Sequence, residues 1–161
     1  MSEAPASAVI EKSIDIAANR ERVWLALTNP AEVVVWDTGI VRPIDAPDDY
    51  PRPGQTVRWQ YRLLGLPLTL IDRPQEVVPL ERLRTHIALA FMRLDETYML
   101  ESPANLARGT RLSMRLVIGN TLPVFQHGFN RWFGRGLAAQ TITQSLGALR
   151  EFCERDFPAG T

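Results

Sequence analysis

Along most of this chain apolar and polar residues alternate, the period of a half-buried strand; two regions switch to the three-and-four spacing of helices. From Val9 to Ile16, Ile10, Ile14 and Ile16 share one face, interrupted by Lys12, with Glu11, Ser13 and Asp15 opposite, which predicts a strand. Asn19 then caps a short helix, Arg20 to Thr28, with Val23, Trp24 and Leu27 as its apolar patch. Asn29-Pro30 restarts the chain, since asparagine suits a cap and proline a first helical position, and a second short helix runs from Pro30 to about Trp36. Turn-rich sequence around Pro43, Pro47, Pro51, Pro53 and Gly54 brackets a brief strand, Ile40 to Ile44. Val57, Trp59, Tyr61 and Leu63 alternate with Arg58, Gln60 and Arg62, the clearest strand in the chain. Strands over Leu68 to Val78, Leu83 to Met92, Leu94 to Ser102 and Arg111 to Ile118 follow, with turns at Gly65-Leu66-Pro67, Pro79-Leu80-Glu81 and Ala107-Arg108-Gly109.

The last segment changes period. Ala139, Ile142, Leu146, Leu149 and Cys153 recur at three and four, predicting an amphipathic helix over Leu137 to about Arg155, with an earlier start near Phe129 left open. Consecutive strands with short links and a long terminal helix define an α+β fold in which an antiparallel sheet of about seven strands buries its apolar face against that helix. The polar, small-residue opening Met1 to Ala8 reads as a flexible tail, and residues 9–157 as a single domain.

Composition narrows the classes of function. With 161 residues the chain buries a core without staples, and its one cysteine, Cys153, cannot form an internal bridge. That thiol and two histidines, His86 and His127, carry no metal-ligand spacing, so no metal or cofactor is expected. Eighteen Lys plus Arg balance eighteen Asp plus Glu, which removes the general attraction to phosphate backbones, and no nucleic-acid partner is expected. The longest apolar run, Leu63 to Ile71, is broken by Gly65 and Pro67 and is too short to span a bilayer. Without an export signal or a cysteine framework, the expected location is cytoplasmic.

The stretch IEKSIDIAANRERVWLALTNPAEVVVW, a strand, a cap, a Val-Trp helix and an Asn-Pro helix ending in Trp, resembles the opening of the START, polyketide cyclase and birch-pollen-allergen (Bet v 1-like) superfamily, called SRPBCC. ETYMLESPANLARGTRLSMRL resembles that superfamily's penultimate hairpin, so the resemblance covers roughly Val9 to Arg155. It implies a helix-grip fold, in which the sheet wraps the long helix and leaves a cavity for a hydrophobic ligand. No catalytic motif transfers, because the shared motifs are structural.

On the strand phases above, the inward set is Val57, Trp59 and Tyr61, then Ile87, Leu89 and Phe91, then Tyr98 and Leu100, then Leu112, Met114 and Leu116, facing Ile142 and Leu146. Such a set either lines a pocket for a small apolar molecule or simply fills the middle. Glu96 shares the face of Tyr98 and Leu100 and would be a cavity base if inward, although the phase near Arg93 to Glu96 is open; Glu101 is expected to face solvent. His86 is expected on the outer face, and His127 on a loop near a cavity mouth. An unbroken helix from Phe129 would put Arg131 and Arg135 on the face of Ile142 and Leu146, where a guanidinium can clamp a carboxylate, enolate or phosphate; Gly134 and Gly136 argue instead for a break that turns both to water.

Phe125, Phe129, Trp132 and Phe133 cluster before the terminal helix, and Leu64, Leu66, Pro67 and Leu68 make a greasy hairpin tip, either packed or gating a mouth or touching a membrane. The expected function is binding of a small hydrophobic or amphipathic ligand, lipid, polyketide or quinone-like, by a monomer or homodimer with at most transient membrane contact. The alternatives are a polyketide cyclase or aromatase-like enzyme and a protein-interaction module of the chaperone-activator type.

Overall fold

The computed structural model describes the backbone of residues 8–120 and 129–155 and the side chains of 8–119 and 136–155. Strand β1 (Ala8–Ile16) leads into two short helices, α1 (Arg20–Thr28) and α2 (Pro30–Trp36). Six strands follow: β2 (Ile40–Asp45), β3 (Val57–Leu63), β4 (Leu66–Val78), β5 (Arg82–Leu89), β6 (Met92–Glu101) and β7 (Thr110–Asn120), and then helix α3 (Phe129–Arg155). All neighbours are antiparallel, in the order β1-β7-β6-β5-β4-β3-β2, so the sheet is a meander whose first strand closes against its last. The curved sheet and its long C-terminal helix form the helix-grip architecture, as expected.

Local chemistry sets the helix starts. Asn19 Oδ1 accepts from the Arg22 amide at 2.8 Å, and Asn29 Oδ1 accepts from the Ala31 amide at 3.0 Å just ahead of Pro30, so one asparagine caps each helix. Trp36 Nε1 donates to the Ala26 carbonyl at 2.8 Å and ties α2 back to α1. At the other end, the Ala17 amide donates to Glu154 Oε1 at 2.9 Å, holding the last turns of α3 to the end of β1.

The buried apolar residues fall into two clusters rather than one. The larger joins α1, Trp36, β1, β7 and the ends of β5 and β6 to Ile142, Leu146, Leu149 and Cys153 of α3. The smaller joins Val33 of α2 to Val57, Trp59, Leu70, Ile87 and Leu89. The outer face of the sheet is polar and carries cross-strand ion pairs such as Arg111–Asp15 and Arg115–Glu11, each directly opposite in register. These pairs are exposed and add little to stability.

Three sequence expectations change. Strand β5 stops at Leu89, because Ala90 takes a positive φ of 51° and forms the hairpin turn with Phe91; alternation ends there, and Phe91 is 38% exposed instead of inward. The β3–β4 turn is Leu64-Gly65, both at positive φ, and Leu66 and Pro67 are already paired with Leu63 and Arg62. Pro67 is tolerated because β4 pairs with β5 only from Leu70 onward, so its missing amide costs no bond on that side. Helix α3 begins at Phe129 and continues through Gly134 and Gly136, so the glycines do not end it. Packing of its later turns on the sheet offsets their weak helix propensity.

Candidate functional site

The inner face of β4, β5 and β6 is not uniformly apolar. Alternation along β4 puts Asp72 on the face of Leu70, and Asp72 is buried. Its neighbours on that face are Val57 of β3 and Ile87 of β5, opposite it in register. Strand β5 brings Thr85 inward, and Thr85 pairs with Glu96 of β6, which shares its face with Leu94, Tyr98 and Leu100. Three strands therefore deliver Asp72, Thr85 and Glu96 to one interior region between the two apolar clusters.

Asp72 has a full set of donors. The Tyr50 hydroxyl donates to its Oδ2 at 2.8 Å and the Thr85 hydroxyl donates to its Oδ1, and the nearby Trp59 indole also favours its ionised form. Burial raises the Asp72 carboxyl above its usual range, and these three neighbours act against that rise. Tyr50 stands edge-on to Trp59, with ring centroids 5.9 Å apart, so the loop before β3 is pinned both by its ring and by its hydroxyl. Burial, then the charge of Asp72, holds the Tyr50 phenol well above its ordinary value.

Glu96 is differently placed. Among the described residues the Tyr98 hydroxyl, two residues along the same strand, is the one group favouring its ionised form, and its carboxyl is pushed up to about 8, first by burial and then by the charges of Asp72 and Asp37. At neutral pH it is therefore mostly protonated and is both donor and acceptor. Asp37, the residue that ends α2, is the third carboxyl; its Oδ1 accepts from the Gly39 amide at 2.9 Å, and burial raises it. Tyr61 of β3 feels both Asp37 and Glu96, and with burial as the leading cause its phenol is pushed up to about 12. Glu96, Asp37 and Tyr50 are enclosed deeply enough for desolvation to dominate their titration, yet each keeps part of its surface accessible.

Gly39 explains how the ring of Tyr61 fits. A Cβ at that position would stand 2.6 Å from Tyr61 Cζ and closer still to Cε2, far inside van der Waals contact, so only a hydrogen there lets the α2–β2 junction close over the ring as it stands. Gly39→Ala is expected to swing Tyr61 away from Asp37 and to cost about 1–3 kcal/mol in urea unfolding, as overpacking does. An unchanged midpoint would show that the ring yields freely.

The inward residues read from sequence divide between the clusters. Val57, Trp59, Ile87 and Leu89 belong to the smaller, with Tyr61 packed against it. Tyr98, Leu100, Leu112, Met114, Leu116, Ile142 and Leu146 belong to the larger. His86 is on the outer face, half-exposed, with Nδ1 3.5 Å from Asp95 Oδ1, and Glu101 faces solvent. The backbone of Phe129, Arg131, Trp132, Phe133 and Arg135 is in α3, but their side chains lie outside the described residues, as do Phe125 and His127 altogether. Sequence reasoning missed Asp72, Asp37 and Tyr50. The phase of Leu68, Leu70, Asp72 and Pro74 would have found Asp72; Asp37 and Tyr50 sit in connections where no periodicity applies.

Among the described residues no group of three His, Cys, Asp or Glu side chains is arranged to hold a metal, and no helix is long and apolar enough to cross a membrane. A curved antiparallel sheet gripping a C-terminal helix defines a helix-grip protein. The fold is that of the SRPBCC superfamily, and the resemblance read from the sequence holds at that level. A START superfamily protein from Mycobacterium smegmatis superposes with a TM-score of 0.73 at 16% identity, over 91% of this chain and 97% of its own. Ara h 8.0201 gives 0.69 at 7% identity, over 93% and 99%. DynU16, from the dynemicin biosynthetic locus, gives 0.67 at 16% identity, over 95% of this chain and 49% of DynU16. No family model matches the sequence. No curated protein matches it either.

Proposed function

We propose that this chain encloses a small hydrophobic or amphipathic molecule, of the lipid, polyketide or quinone kind, between its two apolar clusters, with Glu96, Tyr61 and Tyr98 orienting it. The observation that carries the reading is Glu96, a residue whose titration burial dominates, which keeps part of its surface accessible and which, among the described residues, has Tyr98 as its one hydrogen-bonding neighbour. A side chain in close-packed core has neither property, whereas one bordering an internal gap has both. Apolar burial supplies affinity at about 25 cal/mol per Å². The neutral carboxyl gives or takes one hydrogen bond with a carbonyl or hydroxyl oxygen, which fixes orientation. A carboxylate headgroup would meet the fields of Asp72 and Asp37 and is disfavoured.

Native mass spectrometry of protein purified without detergent tests this. The expected result is a non-covalent small-molecule adduct, or uptake of anilinonaphthalene sulfonate displaced by long-chain alcohols. Protein that is empty and takes up neither would overturn the reading.

The same carboxyl favours a second reading, a cyclase or aromatase-like enzyme. A neutral acid near pH 7 beside two phenols can donate a proton to a folding poly-ketone and retrieve it. DynU16, which shares the fold, is a protein of the dynemicin biosynthetic locus. If Glu96→Gln cyclises a poly-ketone as fast as the parent protein, the enzymatic reading loses its proton donor.

A further inference from the structure

The β3–β4 hairpin breaks two local rules at once. Leu64 sits at φ 50°, in the left-handed region where Asn, Asp or Gly is comfortable and a leucine is strained, and it is 79% exposed. Its neighbour across the turn, Leu66, is 64% exposed. An asparagine at position 64 would relieve the backbone and wet the tip, so the leucine gains nothing within this fold. Its value then lies in what it touches outside the chain.

The surroundings say what that is. Strands β4 and β5 are antiparallel with Leu70 opposite Leu89, so the 64–65 and 90–91 turns lie at the same end of the sheet. The first reaches past the second by about 13 Å, four residues at strand rise. Phe91 on the second turn is also exposed. Between Gln60 and Ile71 the one charged residue is Arg62, and between Ala88 and Leu94 it is Arg93; both are exposed and no acidic residue falls in either stretch. A narrow projection of leucines collared by arginines matches the depth profile of an anionic bilayer surface, apolar below and negative above. A protein groove would demand apolar complementarity but no such collar, and two leucines on one turn offer it little area.

We infer that this end of the sheet docks on anionic lipid bilayers, the Leu64-Gly65-Leu66 turn entering the headgroup–acyl boundary and Arg62 and Arg93 pairing with lipid phosphates. The docking is independent of whether a guest occupies the interior.

Flotation with vesicles tests it, using phosphatidylcholine alone and phosphatidylcholine mixed with phosphatidylglycerol, and no added ligand. Wild-type protein is expected to float with the mixed vesicles, and about fivefold less per arginine lost in Arg62→Gln and Arg93→Gln. Leu64→Asn and Leu66→Thr are each expected to weaken binding about tenfold. Leu64→Asn is also expected to melt no lower than the parent protein, because the strain is gone. That combination separates lost contact from lost fold. Absence of the wild type from both vesicle types, or unchanged flotation of the leucine variants, would overturn the inference. So would sedimentation velocity showing a dimer that Leu64→Asn dissociates, since the tip would then be a contact between copies.

Discussion

Glu96→Gln is expected to stabilise the protein in mild alkali by several kcal/mol and to leave it almost unchanged near pH 4. In the folded chain the carboxyl titrates at about 8, against an ordinary 4.5 once the chain unfolds. Below 4.5 both states hold the proton, so the group is neutral in its effect. Between 4.5 and 8 the unfolded chain releases the proton while the folded chain retains it, so stability falls as pH rises and levels off above 8. The displacement corresponds to on the order of 5 kcal/mol at its full extent. Gln keeps the size and hydrogen-bonding capacity without the charge, so its stability curve lacks this slope. Urea midpoints of both proteins at pH 4, 6, 8 and 9 check the prediction. Parallel curves would mean that Glu96 is solvated in the native state, and the reading of an enclosed polar contact would go with it.

Asp72→Ala is expected to cost about 3–5 kcal/mol, and Asp72→Asn roughly half of that. Removing the carboxyl strands two donors at once, the hydroxyls of Tyr50 and Thr85, in a region where Tyr50 and Trp59 also support each other. Asparagine still accepts through its one oxygen and recovers part of the set, but its amide brings two donors that the site does not need. The outcome is read from unfolding midpoints at pH 7 and from Trp59 fluorescence. If alanine costs no more than asparagine, water or a bound molecule satisfies the two donors, and the site is wetter than its burial implies.

The two predictions have opposite signs although both concern buried carboxyls of one interior. Partner count makes the difference. Among the described residues Asp72 has Tyr50, Thr85 and Trp59 favouring its ionised form, whereas Glu96 has Tyr98 and lies in the field of two other acids. Asp72 therefore holds the β3–β5 end of the sheet together, and Glu96 does not.

The sequence by itself determined the element order, both capped helices, the face of nearly every strand and the grip of sheet on helix. These depend on periods of two and 3.6 and on caps two or three residues long, which are local properties. His86 outward followed from the same phase. The Ala90-Phe91 turn escaped because an Ala-Phe pair carries no turn signal and the alternation looks continuous across it. Only the tertiary structure decided that Asp37, Asp72 and Glu96 share one interior. They come from the end of α2, from β4 and from β6, and the distance between such groups depends on strand order and on how far the sheet curls. The titration of Glu96 was illegible in the sequence for the same reason: it is the sum of desolvation and of two distant charges, and neither exists until the sheet has closed.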